Sequence, residues 1–158
     1  MPPVTALLHA RNDALRIGRA LETLRFPAEV IVVDHGSTDR TIAVARQYGV
    51  RIVSAAENCD QYLPVTNEWI FCLTTRESIT EDLESSLFEW SLLPACNVAA
   101  GLCYSVSIRE ELNQGWIQHS QPETRLVPRK WPFAPNLLPE PCPSAQMLEG
   151  ALCRFWLP

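Results

Sequence analysis

The chain is poor in lysine and in positive charge. Its 158 residues include 13 basic and 18 acidic side chains, which gives a formal net charge of −5, and Lys130 is the only lysine. Nucleic-acid binding draws on a surplus of cations that neutralise phosphates, so this composition argues against a DNA- or RNA-binding protein. Because the other basic residues are arginines, we expect local sites built from planar guanidinium groups, which suit phosphate and carboxylate.

The cysteines also lack the spacing that is typical of metal ligands. The six cysteines include no Cys-x-x-Cys pair and no Cys/His cluster of zinc type, and the N-terminus lacks a signal-peptide pattern. Cys72 and Cys103 lie inside apolar runs, where a thiol behaves as a small hydrophobic group. We therefore predict buried thiols in a reducing compartment rather than a disulfide framework.

No clean membrane span is present. Residues 90–108 carry no charge and are long enough to suggest one, but Pro94, Asn97 and Gly101 interrupt them. This stretch is more typical of a helix end, a turn and a strand. We expect no transmembrane segment.

The first half alternates apolar runs with helical patterns. Residues 4–9, 29–33, 51–54 and 69–73 are predicted strands, the β-branched ones typical of a parallel sheet. A helix capped by Asn12 should follow the first strand, and a helix ended by Gly49 the second. The predicted inward residues of these helices are Ala14, Leu15, Ile17, Leu21, Leu24, Ile42, Val44, Ala45 and Tyr48. Such alternation indicates a right-handed, mostly parallel α/β sheet flanked by helices.

The second half is less regular. We predict a helix over residues 80–92, a strand over 98–108, a polar loop over 109–121 and a short strand over 124–127. Eight of the thirteen prolines fall from Pro122 onward, so residues 128–143 should form an extended strap over the sheet. Residues 147–156 should close the fold as a strand or short helix.

Two motifs carry a resemblance to a known family. Ala10-Arg11-Asn12-Asp13 follows the first strand, and Asp34-His35-Gly36-Ser37-Thr38-Asp39 follows the second. With residues 69–73 before an expected metal motif, they resemble family-2 glycosyltransferases of GT-A fold, in the bacterial branch that modifies lipopolysaccharide and other cell-envelope glycans. Weaker matches lie at residues 115–119 and 124–126.

The resemblance implies a nucleotide-sugar site at the carboxyl ends of the strands. Ala10, Arg11, Asp13 and Thr74 would line it, and Asp34, with Gly36 in its turn, would accept a hydrogen bond from the base or ribose. From the residues alone, Asp34 also fits a turn and Asp39 a helix N-cap. His9 is more typical of a hydrogen-bonded residue at the core edge than of a catalyst, and His119 fits a plain loop residue and a residue lining an acceptor cleft equally well. The tryptophans are more typical of packing than of sugar stacking.

The departures from the family concern the metal and the catalytic base. Thr74 and Arg76 stand where the family has the two carboxylates of Asp-x-Asp, and neither can replace a carboxylate on Mg²⁺ or Mn²⁺. Arg154 stands where the family often has a histidine. We therefore expect no cofactor, doubt a divalent metal, and hypothesise that Arg76 and Arg154 stabilise the diphosphate. Glu123 is the candidate base, with a surface charge as the other interpretation.

These features predict one GT-A-like domain over residues 1–158, with a nucleotide-binding half (1–93) and a reduced acceptor-side half (94–158). The implied activity is transfer of a sugar from a UDP- or GDP-sugar to a glycan or lipid-linked acceptor, in the cytoplasm or at the inner membrane face. A degenerate module that binds nucleotide, glycan or a protein without turnover remains open. A nucleotidyltransferase is disfavoured because a Gly-rich, Lys-containing phosphate loop is missing.

Overall fold

The computed structural model describes residues 3–56, 65–94 and 102–158. Nine strands and three helices are found there. They run in the order β1 Val4–Ala10, α1 Ile17–Glu22, β2 Glu29–Asp34, α2 Thr41–Gln47, β3 Arg51–Ser54, β4 Trp69–Thr74, β5 Glu77–Ile79, α3 Glu81–Ser91, β6 Tyr104–Leu112, β7 Gly115–Gln118, β8 Glu123–Pro128 and β9 Gln146–Arg154.

All nine strands belong to one sheet of order β3-β2-β1-β4-β8-β6-β9-β5, with β7 paired to β6. The first four strands pair in parallel with one another. Strand β8 then pairs antiparallel with β4 and β6, and β9 runs parallel to β6. The predicted α/β fold is confirmed, with a parallel part in the first half of the chain and antiparallel pairings added in the second.

The two faces of the sheet are covered differently. Side chains alternate along β1, so Ala6 and Leu8 join the core cluster that includes residues of all three helices, whereas Leu7 joins a second cluster on the other face. Trp131, Phe133 and other side chains of residues 129–145 pack against that second cluster. The predicted strap is therefore confirmed. It covers one face of the sheet, and the helices cover the other.

Helix α1 is shorter than predicted. It begins at Ile17 without a side-chain cap, and Asn12 lies well before it with a left-handed φ of 54°. The prediction of Asn12 as N-cap is wrong, because the asparagine is engaged by a neighbouring loop described below. Leu15 is 80% exposed and Tyr48 is 38% exposed, so these two predicted inward residues are wrong as well. Gly49 does end α2 in the left-handed region, with φ 67°.

The polar stretch 109–121 is not a loop. Strand β6 extends into it as far as Leu112 and forms a hairpin with β7, whose residues are all exposed. Strand β5, which the sequence did not indicate, pairs with β9. Helix α3 agrees with the prediction: the Thr80 hydroxyl accepts a hydrogen bond from Leu83 N, and three acidic residues occupy its first turn.

Two of the cysteines form a disulfide bond rather than remaining free thiols. Cys103, buried at the start of β6, forms a disulfide with Cys142 of the strap, so the prediction of thiols only is wrong for this pair. Apolar surroundings predicted burial but carried no information on pairing across 39 residues of sequence. Cys72 is a buried free thiol, as expected, whereas Cys59 and Cys96 lie outside the described residues. Within the described part of the chain, no helix is long and apolar enough to cross a bilayer.

Candidate functional site

Two loops meet at the carboxyl ends of β1 and β2. The backbone N–H of Asn12 donates to the Ser37 hydroxyl at 3.0 Å, and the Asn12 side-chain oxygen accepts the N–H of Thr38 at 2.8 Å. The N–H of Asp13 donates to the Thr41 hydroxyl at 2.8 Å. Asn and Asp tolerate the left-handed backbone that this exchange requires. The loops are therefore held as one unit.

Asp34 and Asp39 both have roles within these loops. One carboxylate oxygen of Asp34 accepts the N–H groups of Gly36 and Ser37, each at 3.1 Å, and Asp34 is 7% exposed. Asp39 accepts the N–H of Thr41, the first residue of α2, at 2.9 Å and that of Ala14 at 3.1 Å, but the N-cap position is Arg40, so Asp39 is not the N-cap. Gly36 has φ +77°, which this turn requires. The structure thus gives Asp34 a turn role, and its contact with a nucleoside stays a prediction.

A cavity of about 370 Å³, which we call the main cavity because the motif residues line it, lies beside these loops. Its lining is Leu7, His9, Ala10, Arg11, Asp13, His35, Cys72, Leu73, Thr74, Asn136, Leu137 and Leu138. Four of the predicted nucleoside residues, Ala10, Arg11, Asp13 and Thr74, lie together there, whereas Asp34 and Gly36 are outside its lining. Ligands of parallel α/β sheets bind at this edge.

Sequence reasoning missed three parts of this lining. His35 and Cys72 could have been found, since each belongs to a strand end that the motifs identified. Asn136, Leu137 and Leu138 belong to the strap, whose position over the cavity depends on long-range packing that no local pattern indicates. The strap therefore contributes a wall that the sequence did not predict.

A histidine pair forms part of the cavity. His9 Nδ1 and His35 Nε2 lie 2.8 Å apart, so one ring donates its N–H to the other. Burial, and secondarily the nearby His35, lower the pKa of His9 to about 4. Burial raises the pKa of the Cys72 thiol to about 12, which keeps it protonated and unreactive at neutral pH.

Behind the cavity lies a cluster of two arginines and two glutamates. Arg125 is fully buried and donates to both oxygens of Glu77, at 2.9 and 2.8 Å, and to Glu123, with one contact at 2.5 Å. Arg154 donates to Glu77 and to Glu123, each at 2.9 Å. Glu77 also accepts the backbone N–H of Thr74 at 2.9 Å, which ties the cluster to the cavity wall.

The charges of this cluster balance one another. Burial alone would raise the pKa of Glu77 and of Glu123, but the two arginines outweigh it and hold both pKa values below their ordinary range. Both carboxylates are therefore ionised at neutral pH. The structure brings Glu123 and Arg154 into contact, which the sequence did not predict. Glu77 and Arg125 also belong to the cluster, and sequence reasoning missed them because no local pattern indicates a buried ion pair.

The donor set at the end of β4 does not fit a divalent cation. Thr75 and Arg76 form the turn between β4 and β5, and the nearest carboxylate in sequence, Glu77, is held by two guanidinium groups. Hard cations need free oxygen ligands, mainly carboxylates. Among the described residues, no group of three or more His, Cys, Asp or Glu side chains is arranged to hold a metal ion. Arg76 itself is exposed at this turn.

A second, smaller cavity of about 180 Å³ adjoins the first. Asn136 and Leu138 of the strap line both cavities, and Glu123 lines the smaller one. The Glu123 side chain is 30% exposed. A carboxylate has about four lone-pair positions, so Glu123 retains acceptor capacity beyond its arginine contacts.

Comparison with known proteins bears on what this site is. The chain is 40% identical over 60 residues to 4,4'-diaponeurosporenoate glycosyltransferase of Staphylococcus aureus, a match that covers 36% of this chain and 16% of that protein. It is 30% identical over 99 residues to an uncharacterized glycosyltransferase of Rickettsia felis, covering 55% and 33% respectively. The chain is thus similar to glycosyltransferases over part of its length. The resemblance to glycosyltransferases that the two motifs carry is confirmed.

The chain spans a third or less of the length of those two proteins. No protein-family model matches the chain. Solved structures with a similar arrangement include glucosyl-3-phosphoglycerate synthase of Mycobacterium tuberculosis with Mn²⁺ and UDP, at TM-score 0.48 and 18% identity over 69% of this chain and 43% of that one. Residues 1–349 of S. aureus TarS give a TM-score of 0.46 and 16% identity over 70% and 36%.

Proposed function

We propose that the chain binds the nucleotide of a UDP- or GDP-sugar in the main cavity and serves in transfer of the sugar to a glycan or lipid-linked acceptor of the cell envelope. The supporting observation is the cavity itself, which lies at the carboxyl ends of β1 and β4 and is lined by the motif residues Ala10, Arg11 and Asp13. Residues 1–93 would form the nucleotide-binding half and residues 94–158 the acceptor-side half. Donor and acceptor would meet at the cytoplasmic face of the inner membrane.

Charge on the leaving diphosphate would be stabilised by arginine rather than by a metal. Arg76 is exposed in the turn that begins one residue after Thr74, a residue of the cavity wall. A guanidinium group there can donate two parallel hydrogen bonds to phosphate oxygens. Arg154 is shared between Glu77 and Glu123, so we assign it to orienting these carboxylates, with its charge reaching the diphosphate less directly.

Glu123 is the carboxylate we propose as base. It is ionised and oriented by Arg125 and Arg154, and it lines the smaller cavity, where an acceptor hydroxyl would have room. Its role would be to accept the proton of that hydroxyl as the hydroxyl attacks the sugar and the nucleoside diphosphate departs. A lowered pKa makes it a weak base, so most of the rate would come from positioning.

Release of nucleoside diphosphate from a panel of UDP- and GDP-sugars tests this proposal. The wild-type chain should release nucleoside diphosphate slowly without added metal. The Arg76→Ala variant should release it at least about tenfold more slowly, as expected when one charged donor to a developing anion is lost. Glu123→Gln should reduce transfer to an added acceptor. Arg46→Ala, an exposed change on α2, is the matched control and should keep full activity. Binding without any release would instead favour a non-catalytic binding module.

A further inference from the structure

The tip of the strap is a self-contained turn. Within residues 134–138, Ala134 N donates to Leu138 O at 2.8 Å and Leu137 N donates to Ala134 O at 2.9 Å. The Asn136 side-chain oxygen accepts the N–H of Leu138 at 3.1 Å. A bridge between Phe133 and Pro139 closes the turn at its base. The conformation of the tip is therefore fixed by its own backbone.

The strap also holds this tip against the sheet. Trp131 Nε1 donates to the carbonyl of Glu140 at 2.9 Å, across the base of the turn. Phe133 and Leu138 pack into the core cluster on this face, and the Cys142–Cys103 disulfide joins the following segment to β6. The tip therefore has a defined position relative to β1 and β4, whose ends form the opposite side of the main cavity.

Leu137 adopts a conformation that its side chain disfavours. Its φ is +66°, in the left-handed region that Gly and Asn occupy readily and that a bulky residue seldom does. Leu137 nonetheless lines the main cavity, together with Leu138. Disfavoured backbone conformations concentrate at ligand clamps, where the side chain has a use that outweighs its conformational cost.

The two sides of the cavity are chemically similar. Leu7, Cys72 and Leu73 contribute from the sheet, and Leu137 and Leu138 face the same space from the strap. Polar groups, including Asp13 and His35, lie at the loop end. A space between two apolar walls with polar groups at one end suits a flat aromatic ring with hydrogen-bonding edges, and suits a sugar less well because a sugar is polar on most of its surface.

We propose that Leu137 and Leu138 form the outer wall of a nucleobase subsite and contact the face of the donor's base, so that the strap determines how tightly the nucleotide binds. This inference rests on the proposed function, since it assumes that the main cavity takes a nucleotide. It assigns to residues 134–138 a role in ligand binding in addition to covering the sheet.

Leu137→Gly separates this role from a structural one. Glycine is favoured at φ +66°, so the variant should fold with an equal or higher melting temperature. Loss of an apolar side chain from the wall should nevertheless raise the Kd for UDP or GDP, whichever the wild type binds, by about tenfold. Leu137→Asn, also compatible with this backbone, should behave similarly. Leu112→Ala, an exposed leucine on the β6–β7 hairpin, is the control and should leave the Kd unchanged.

Calorimetric titration of the four proteins gives distinct outcomes. If the Leu137→Gly variant is as stable as the wild type but binds nucleotide more weakly, the result supports Leu137 as part of the outer wall of the nucleobase subsite. A Kd equal to that of the wild type overturns the inference while leaving the proposed function in place. If the wild-type chain binds neither UDP nor GDP, the proposed function fails and this inference fails with it.

Discussion

Arg125 and Glu77 are both fully buried and face each other through two parallel hydrogen bonds of 2.9 and 2.8 Å. Glu77 directly follows the Thr75–Arg76 turn, where the family resemblance places Asp-x-Asp, and Arg125 reaches it from β8 while donating to the carbonyl of Cys72 at 3.2 Å. The carboxylate nearest the expected metal position is thus neutralised internally.

Replacing Arg125 should show how much the fold depends on this pair. Arg125→Met leaves Glu77 buried with its main partner removed, and breaking a buried ion pair in this way costs about 3–5 kcal/mol of unfolding free energy. Urea unfolding measures the loss. Arg46→Met, an exposed substitution on α2, should change the free energy of unfolding by less than about 0.5 kcal/mol. Equal stability of the two variants would contradict a structural role for the pair.

Acid should destabilise the chain in two successive ranges of pH that overlap near pH 4. The folded chain protonates His9 only near pH 4, because its pKa is lowered to about 4, whereas the unfolded chain does so near the ordinary value of 6.5. The free energy of unfolding should therefore fall as the pH falls from 6.5 to 4, by at most about 3 kcal/mol. His9→Asn should remove most of this slope, and an unchanged slope in the variant would show that another group titrates.

Below this range the carboxylates dominate. The pKa values of Glu77 and Glu123 are lowered in the folded chain, so their contribution is present above about pH 4.5 and is lost as the pH falls through the folded values. The His9→Asn variant should still lose this part of its free energy of unfolding as the pH falls.

The disulfide should stabilise the strap. Cys142→Ser opens a loop closed across 39 residues of sequence, and loss of such a link costs about 2–4 kcal/mol of unfolding free energy. The variant should also bind nucleotide less tightly, since the tip lining the cavity loses an anchor. Cys153→Ser, which removes a half-buried free thiol, is the control. If both variants melt at the same temperature, the Cys103–Cys142 bond contributes nothing to the fold.

Gly150 should tolerate no side chain. It has φ +88°, and a Cβ there would lie 2.2 Å from the backbone nitrogen of Leu83 in α3. Gly150→Ala should cost about 3 kcal/mol or more, since overpacking against backbone adds to the strain of the left-handed conformation. Gly49→Ala has a similar φ of +67° but open space around it, and should cost only about 1–2 kcal/mol. Thermal unfolding of the two variants isolates the contribution of the helix contact.

The sequence predicted the parts of this molecule that depend on local patterns. The apolar runs that became β1, β2 and β4 have the composition of strands buried on both faces, and their order indicated where the cavity would lie. Asn12 was misjudged because its partners, Ser37 and Thr38, come from another loop, and capping rules consider only local bonds. Glu77 was missed for the same reason, since the arginines that define its role lie on β8 and β9.

Calorimetric titration of the wild-type chain with UDP and with GDP, each with and without Mn²⁺, tests the arginine-based nucleotide site. We predict that one of the two nucleotides binds and that its Kd is the same in both conditions, because Thr74 and Arg76 stand where the resemblance places the metal ligands and Glu77 is held by Arg125 and Arg154. Binding that requires Mn²⁺ would contradict the arginine-based site, and absence of binding by either nucleotide would contradict the nucleotide cavity itself.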